Sequence, residues 1–168
     1  MILYIVALIC GLGIIGLDQL TKYYIISHFS LGDEADFING FIDINYIHNR
    51  GAAWGMLSGR TGILLAVTVI VMAGCVFFLF KNSVKSKLML WAIVSVISGG
   101  IGNLIDRVFR DGNVIDFLHF EFWPEFPVFN VADCAIVIGA GLLILYFILD
   151  TIRENKENKF KEEANGED

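Results

Sequence analysis

Two aspartates that are distant along the chain are the candidates for catalysis. Asp116 lies within the apolar run 114–117, and Asp133 lies three residues after Asn130, near the start of a predicted helix. Among the acids that converge at one end of the predicted bundle, these two have no basic neighbour in sequence. Two carboxyl groups close together share one proton, so one can activate a water while the other protonates a carbonyl oxygen. This chemistry predicts amide hydrolysis by an aspartate pair.

Each acid also has an ordinary structural interpretation, and the sequence leaves both open. Asp116 fits the polar face of a short strand. Asp133 fits the first turn of a helix that Asn130 caps, near the positive end of the helix dipole. No other nucleophile is supported, because the three histidines lack the H-x-x-x-H spacing of metal ligands and the chain has neither a G-x-S-x-G turn nor a phosphate loop.

Further polar residues interrupt the apolar segments, where ionisable groups are costly and are therefore candidates for function. Asp18 and Lys22 stand at positions i and i+4, where they can pair on one helix face, as a simple ion pair or as part of a site. Asn103, Asp106, Arg107 and Arg110 follow helical spacing and form one polar stripe. All these clusters fall at the same end of the predicted helices, which indicates a shared purpose.

Four apolar stretches predict the elements that position these residues. A bilayer core requires about 20 apolar residues in a helix, whose backbone groups bond one another. We therefore predict four transmembrane helices at about 2–26, 61–80, 88–109 and 131–149. The first is retained as a span because it lacks the basic start and small-residue cleavage site of a signal peptide. Small residues at 98–102 predict close helix packing.

The composition agrees with a small integral membrane protein. Of 168 residues, 56% are hydrophobic and 18% charged, and the mean hydropathy is +0.67. The apolar content excludes a disordered chain, and three cysteines within or at the start of predicted spans exclude a disulfide scaffold. The net charge of -6 without a basic stripe excludes a nucleic-acid binder.

The distribution of lysine and arginine predicts the orientation of the helices. The connection 81–87 carries three lysines and no acid, and the segment 153–168 carries four more basic residues. Both are expected on the cytoplasmic side, which leaves 27–60 and 110–130 outside. Residues 1–152 are predicted to form one membrane domain, followed by a solvated charged tail.

The two outer segments have different patterns. Ile42, Ile44 and Tyr46 alternate with polar residues, and Asn39-Gly40 is a hairpin signal, so we predict a small extracytoplasmic β-sheet between the first two helices. Such a sheet would lie on the bilayer surface or cover the end of the bundle. The second segment is rich in aromatic residues, which suit the boundary between water and lipid.

Two other classes of protein are alternatives. A four-helix transporter or binding protein would use the polar stripe as a pathway, but the middle of predicted spans two to four holds no acid. A purely structural assembly subunit would leave the paired acids without a role. The separation of the Asp116 and Asp133 carboxyl groups discriminates between hydrolysis and these alternatives.

Five short motifs occur in order along the chain. They are Asp18-Gln-Leu-Thr-Lys22, Asn49-Arg-Gly-Ala-Ala-Trp54, Gly102-Asn-Leu-Ile-Asp-Arg107, Val114-Ile-Asp-Phe117 and Phe129-Asn-Val-Ala-Asp133. In this order they resemble the bacterial lipoprotein signal peptidase family (signal peptidase II). Family members often have another residue in place of Trp54, and serine in place of Cys134. Cys134 has no hydroxyl group with which to bond the neighbouring acid.

The resemblance implies an integral-membrane aspartyl endopeptidase that removes the signal peptide from diacylglyceryl-modified prolipoproteins, cleaving before the lipidated cysteine. It assigns catalysis to Asp116 and Asp133. Substrate-binding or dyad-supporting roles carry over to Asp18, Lys22, Asn49, Asn103, Asp106, Arg107 and Asn130. It implies neither metal nor organic cofactor. The expected partners are the precursor and membrane lipids, without nucleic acid. The protein is expected to be a monomer in the bacterial plasma (inner) membrane, with its active site at the outer face.

Overall fold

The computed structural model describes residues 2–51, 56–57, 59–80, 84 and 86–165. Its elements are α1 (Ile2–His28), β1 (Glu34–Ile38), β2 (Ile42–Asn49), α2 (Thr61–Phe80), α3 (Lys87–Phe109), β3 (Val114–Phe120) and α4 (Val131–Asn165). All four helices are long and apolar enough to cross a membrane, which confirms the predicted fold class. Trp54 and two of the three lysines of the 81–87 connection lie outside the described residues.

The fourth helix is longer than its apolar stretch. The prediction ended this span at about residue 149, whereas α4 continues to Asn165. The side chains of residues 151–159 are all exposed, and Arg153 Nε donates to Glu157 Oε1 one turn further on, at 2.9 Å. Lysine, glutamate and arginine have high helix propensity, so the helix persists beyond the point where hydrophobicity ends.

Helix α3 is the central helix of the bundle and contacts the other three. Its close contacts with α4 depend on glycine. A Cβ atom on Gly99 would lie 2.3 Å from the carbonyl oxygen of Ala132, and one on Gly139 would lie 2.8 Å from that of Ala92. The small residues at 98–102 therefore allow the predicted close packing, which brings the polar stripe of α3 beside the start of α4.

A three-stranded antiparallel sheet, in the order β1-β2-β3, packs against α1. The predicted hairpin at Asn39-Gly40 is confirmed, with Gly40 at a φ of 75°. The third strand comes from the segment between α3 and α4, where the sequence left strand and site as alternatives for Asp116. Phe117 of this strand packs with Ile25 of α1 and Tyr46 of β2 in one hydrophobic cluster. This packing fixes β3 next to the outer end of the helices.

Candidate active site

The structure brings Asp116 and Asp133 to one cavity. Asp116 is on β3 and is 1% exposed, and Asp133 is in the first turn of α4. Both side chains line a cavity of about 510 Å³, together with Asn49, Asn103 and Arg107. Five of the polar residues singled out from the sequence therefore surround one space, although they come from β2, α3, β3 and α4.

Asp116 is held by two asparagine side chains. Asn49 Nδ2 donates to Oδ2 at 2.8 Å, and Asn130 Nδ2 donates to Oδ1 at 2.5 Å. Burial, followed by the charge of Asp133, raises the pKa of Asp116 to about 7, while the two asparagine bonds act in the opposite direction. At neutral pH this carboxyl group is therefore close to its own pKa, where it exchanges a proton at little cost.

Asp133 is held by Asn103 and by the backbone of Asn130. Asn103 Nδ2 donates to Oδ1 at 2.8 Å, and the Asn130 N–H donates to Oδ2 at 3.1 Å. The Asp133 N–H in turn donates to Asn130 Oδ1 at 2.9 Å. This reciprocal pair is a capping box, so the predicted helix start at Asn130 is confirmed. The capping role coexists with a position beside Asp116.

Asn130 thus connects the two acids directly. It is completely buried, and its side-chain amide also lies 3.1 Å from Asn103 Oδ1 and 3.3 Å from the Ile115 carbonyl oxygen. The same side chain therefore positions one carboxyl group through Nδ2, while its own oxygen and backbone N–H fix the other. A single residue at the start of α4 therefore bonds both members of the pair.

A buried charge cluster lies between α1 and α3 beside these amides. Lys22 Nζ is 2.9 Å from Asp18 Oδ2 and 2.9 Å from Asp106 Oδ2, and it donates to Asn103 Oδ1 at 3.1 Å. The predicted Asp18–Lys22 pairing is confirmed, but the pair also recruits Asp106. Arg110 Nη1 lies 2.5 Å from Asp106 Oδ1, so two carboxylates are matched by two cations. Buried charges require such pairing.

Arg107 places a guanidinium group at the cavity. One terminal nitrogen donates to the Gly51 carbonyl oxygen at 3.2 Å. Its Nε is buried and has no hydrogen-bond partner within the described part of the chain. A buried donor without a partner is costly, which makes this group available to an acceptor in the cavity, such as a substrate carbonyl oxygen.

The remaining wall of the cavity is apolar. The connection between β3 and α4 contributes Phe126 and Phe129, and α4 contributes Val137 and Ile138. The two α4 residues are also 70% and 59% exposed on the outside of the bundle. The cavity is therefore continuous with a helix face that would meet lipid. Among the described residues, no group of three His, Cys, Asp or Glu side chains is placed to hold a metal ion.

Three further residues contribute to the site although the sequence did not single them out: Gln19, Arg50 and Asn113. Gln19 Nε2 donates to Asp18 Oδ2 at 3.0 Å and to Asp106 Oδ1 at 3.1 Å. Arg50 Nε donates to Asn113 Oδ1 at 3.0 Å, which fixes the chain next to Asn49. Gln19 and Arg50 stand inside two of the five motifs, and that membership was the available signal. Their partners are far along the chain, so spacing gave no indication of these contacts.

The chain is similar to known proteins over most of its length. Residues 10–149 match the family model described as Signal peptidase (SPase) II. The chain is 42% identical to a lipoprotein signal peptidase of Bacillus pumilus (strain SAFR-032), over 89% of this chain and 94% of that protein. It is 40% identical to one of Enterococcus faecalis (strain ATCC 700802 / V583), over 91% and 90% respectively.

Solved structures agree with the fold. A bacterial membrane enzyme structure obtained by the in meso method at 2.3 Å resolution superimposes with a TM-score of 0.81 at 35% sequence identity, covering 87% of this chain and 89% of that one. A second, at 1.9 Å resolution, gives a TM-score of 0.77 at 34% identity, with coverage of 84% and 92%. The fold similarity therefore extends over most of the chain.

Proposed function

The chain belongs to the signal peptidase II family of proteases, and from this premise we propose that it removes the signal peptide from diacylglyceryl-modified prolipoproteins by acid–base catalysis at Asp116 and Asp133. Its four apolar helices make it a multi-pass membrane protein. The observation that carries the catalytic assignment is that both carboxyl groups line one cavity and are both bonded to Asn130.

The resting enzyme in this proposal holds one proton on the aspartate pair. Burial and then the charge of Asp133 oppose ionisation of Asp116 and raise its pKa to about 7, so the pair retains its last proton up to neutral pH. The pair titrates as a unit, and the shared proton is its property. One ionised and one protonated carboxyl group are what the hydrolysis of an amide requires.

The reaction consumes one water and returns the pair to its starting state. The ionised carboxylate removes a proton from water, whose oxygen attacks the scissile carbonyl carbon, while the other carboxyl group protonates the carbonyl oxygen. The gem-diol then collapses and the C–N bond breaks. The leaving nitrogen takes up the proton that the base had removed, and a gem-diol hydroxyl returns a proton to the other carboxylate.

The surrounding donors hold the pair in position and contact the substrate. Asn49, Asn103 and Asn130 each bond a carboxylate oxygen, which fixes the direction of the remaining lone pairs. Arg107, with its free Nε, is assigned to a substrate carbonyl oxygen close to the scissile bond. Preformed donors of this kind act without reorganisation during the reaction.

The apolar wall fits a substrate that remains anchored in lipid. Val137 and Ile138 line the cavity and also continue onto the outer face of α4. A diacylglyceryl-modified precursor entering sideways keeps its acyl chains in hydrocarbon while its backbone reaches Asp116. Cleavage immediately before the lipidated cysteine is part of the proposal, because that bond lies closest to the anchored glyceryl group.

The proposed setting follows from the lysine and arginine distribution. Both termini are placed in the cytoplasm and the active site at the outer face of the bacterial plasma (inner) membrane. The proposed partners are the precursor and the surrounding lipids. The enzyme is proposed to act as a monomer, without metal or organic cofactor.

The test is cleavage of a diacylglyceryl-modified precursor by purified enzyme in detergent. Asp116→Asn and Asp133→Asn are each expected to lower kcat by about a hundredfold or more, because each removes one half of the acid–base pair. The matched control is Asp111→Asn. Asp111 is exposed, and its positive φ of 52° suits asparagine, so this variant should cleave normally.

Two further measurements make the test decisive. Thermal unfolding should show that both active-site variants remain folded. A precursor without the diacylglyceryl group should resist cleavage by the wild-type enzyme. Normal turnover by either folded asparagine variant would eliminate the two-aspartate mechanism, and equal cleavage of both precursors would eliminate the proposed substrate specificity.

A further inference from the structure

The buried charge cluster of α1 and α3 also reaches the backbone on either side of the active site. Asp18 Oδ2 and Asp106 Oδ2 both bind Lys22 Nζ at 2.9 Å, and all three side chains are at most 1% exposed. The three hydrogens of the ammonium group are matched by these two carboxylates and by Asn103 Oδ1. Lys22 therefore holds these two carboxylates at a fixed separation.

Each of those carboxylates accepts a backbone N–H that lies one residue before a proposed catalytic acid. Asp18 Oδ1 accepts from Ala132, which precedes Asp133, at 2.9 Å. Asp106 Oδ2 accepts from Ile115, which precedes Asp116, at 3.1 Å. Charge-assisted bonds to backbone N–H groups are among the stronger hydrogen bonds in proteins. The start of α4 and the start of β3 are thus tied to one common unit.

Gln19 completes this unit from α1. Its Nε2 lies 3.0 Å from Asp18 Oδ2, 3.1 Å from Asp106 Oδ1 and 3.1 Å from the Gly102 carbonyl oxygen. The approach of Asp18 requires glycine at that position, because a Cβ on Gly102 would lie 2.6 Å from Asp18 Oδ2. Gln19 is therefore a neutral donor that bridges both carboxylates in addition to Lys22.

Gln19 thus joins Asp18, Lys22 and Asp106, to which dyad-supporting roles already carry over, in one clamp. We infer that Gln19 is a positioning residue for the reaction, because it bridges the two carboxylates of this clamp and so sets the spacing of the two catalytic aspartates. The inference rests on the proposed function of Asp116 and Asp133. The clamp has no part in the chemistry itself and acts through the two backbone N–H groups. A small change in the separation of the pair costs rate, because the water and the scissile bond must fit between them.

The decisive variant is Gln19→Met, which keeps the volume of the side chain and removes its hydrogen-bond donor. Leu20→Met is the matched control on the next residue of α1, whose side chain is 67% exposed on the outside of the bundle. Both variants are purified in detergent and assayed with a diacylglyceryl-modified precursor. Gln19→Ala removes the same donor without added bulk and gives a second test if methionine disturbs folding.

The expected result is a loss of kcat of about tenfold or more in Gln19→Met, with KM close to that of the wild type, since misalignment acts on the transition state. The two limbs of the pH–rate profile should also move closer together, because carboxyl groups that are further apart repel less. Leu20→Met should match the wild type in both measurements. A purely structural role for Gln19 would lower the thermal midpoint and leave these quantities unchanged.

The outcomes separate this inference from the function on which it rests. If the wild type cleaves the precursor and Asp116→Asn does not, the proposed function stands. If Gln19→Met and Gln19→Ala then show the kcat and pH profile of Leu20→Met per folded enzyme, the clamp is overturned. If the wild type fails to cleave the lipidated precursor, the proposed function itself fails.

Discussion

Replacing Asn130 by serine isolates one hydrogen bond to the aspartate pair. Asn130 has two roles, since its oxygen caps α4 by accepting the Asp133 N–H and its amide donates to Asp116 Oδ1 at 2.5 Å. Serine is also a preferred N-cap residue, so Asn130→Ser keeps the cap. It removes the amide donor, and Asp116 is left with Asn49 as its remaining side-chain donor among the described residues.

The size of the effect follows from the strength of that bond. A hydrogen bond to a charged group contributes about 1.5–3 kcal/mol. Since 1.36 kcal/mol corresponds to one pH unit, losing this bond to the ionised form raises the pKa of Asp116 by about one to two pH units. Starting from a pKa of about 7, the new pKa is expected at about 8 to 9.

The assay is the pH dependence of kcat/KM for a diacylglyceryl-modified precursor, which reports ionisations of the free enzyme. The working pair holds one proton, so activity falls when that proton leaves. The alkaline limb of the wild-type profile is therefore expected near pH 7, and that of Asn130→Ser about one to two pH units higher. The maximal rate should also fall, since Asp116 is held less firmly.

The control is the same substitution at Asn45, which bonds Glu34 on the exposed part of the sheet. Asn45→Ser should leave the profile unchanged. If folded Asn130→Ser has its alkaline limb where the wild type has it, or at lower pH, then the asparagine does not stabilise the ionised pair and the proposed acid–base assignment is wrong.

Three other perturbations follow from the packing and the charges. Gly99→Ala should lower both the thermal midpoint and the activity, since the added Cβ would lie 2.3 Å from the Ala132 carbonyl oxygen. Gly141→Ala is the control and should be neutral or stabilising, because its added Cβ would meet nothing within 4 Å. Lys22→Met should lower the free energy of unfolding by about 3–5 kcal/mol, measured by denaturation in detergent, because it leaves the buried Asp18 without its cation and Asp106 with Arg110 alone. Because the folded-state pKa of Asp116, about 7, exceeds its ordinary value of 3.8, the folded protein holds a proton that the unfolded chain has lost between these values. The protonated Asp116 carboxyl group therefore contributes fully to stability below about pH 4, and this contribution is lost as the pH rises to about 7. If the thermal midpoint of Asp116→Asn has the same pH dependence as that of the wild type, this expectation is wrong.

Local patterns predicted the helices well because bilayer crossing is a local requirement. Each span must supply enough consecutive apolar residues on its own, so the sequence of α2 alone predicts the bounds Thr61–Phe80. The end of α4 was missed for the same reason. Hydropathy marks where the apolar run stops near residue 149, but the charged helix beyond it depends on propensity and on pairs such as Arg153–Glu157.

The candidate site was predictable as a set of residues and unpredictable as a set of contacts. The cost of polar groups in apolar segments singled out Asp18, Lys22 and the stripe on α3. That Lys22 binds Asp106 as well as Asp18 depends on how α1 and α3 pack, as does the place of Gln19 between them. Spacing along one helix shows which residues share a face, but it does not show which other element that face contacts.

The sequence by itself determined that the protein has four apolar spans, a hairpin before the second, and polar groups gathered at one end, because these follow from residue type and period along a continuous stretch. Only the tertiary structure decided that β3 adds to the hairpin and that Asn130 joins Asp116 to Asp133. Bonds between residues far apart in the chain form when close packing of α3 on α4 brings their elements together. The arrangement of the two proposed catalytic aspartates therefore depends on how these elements pack together.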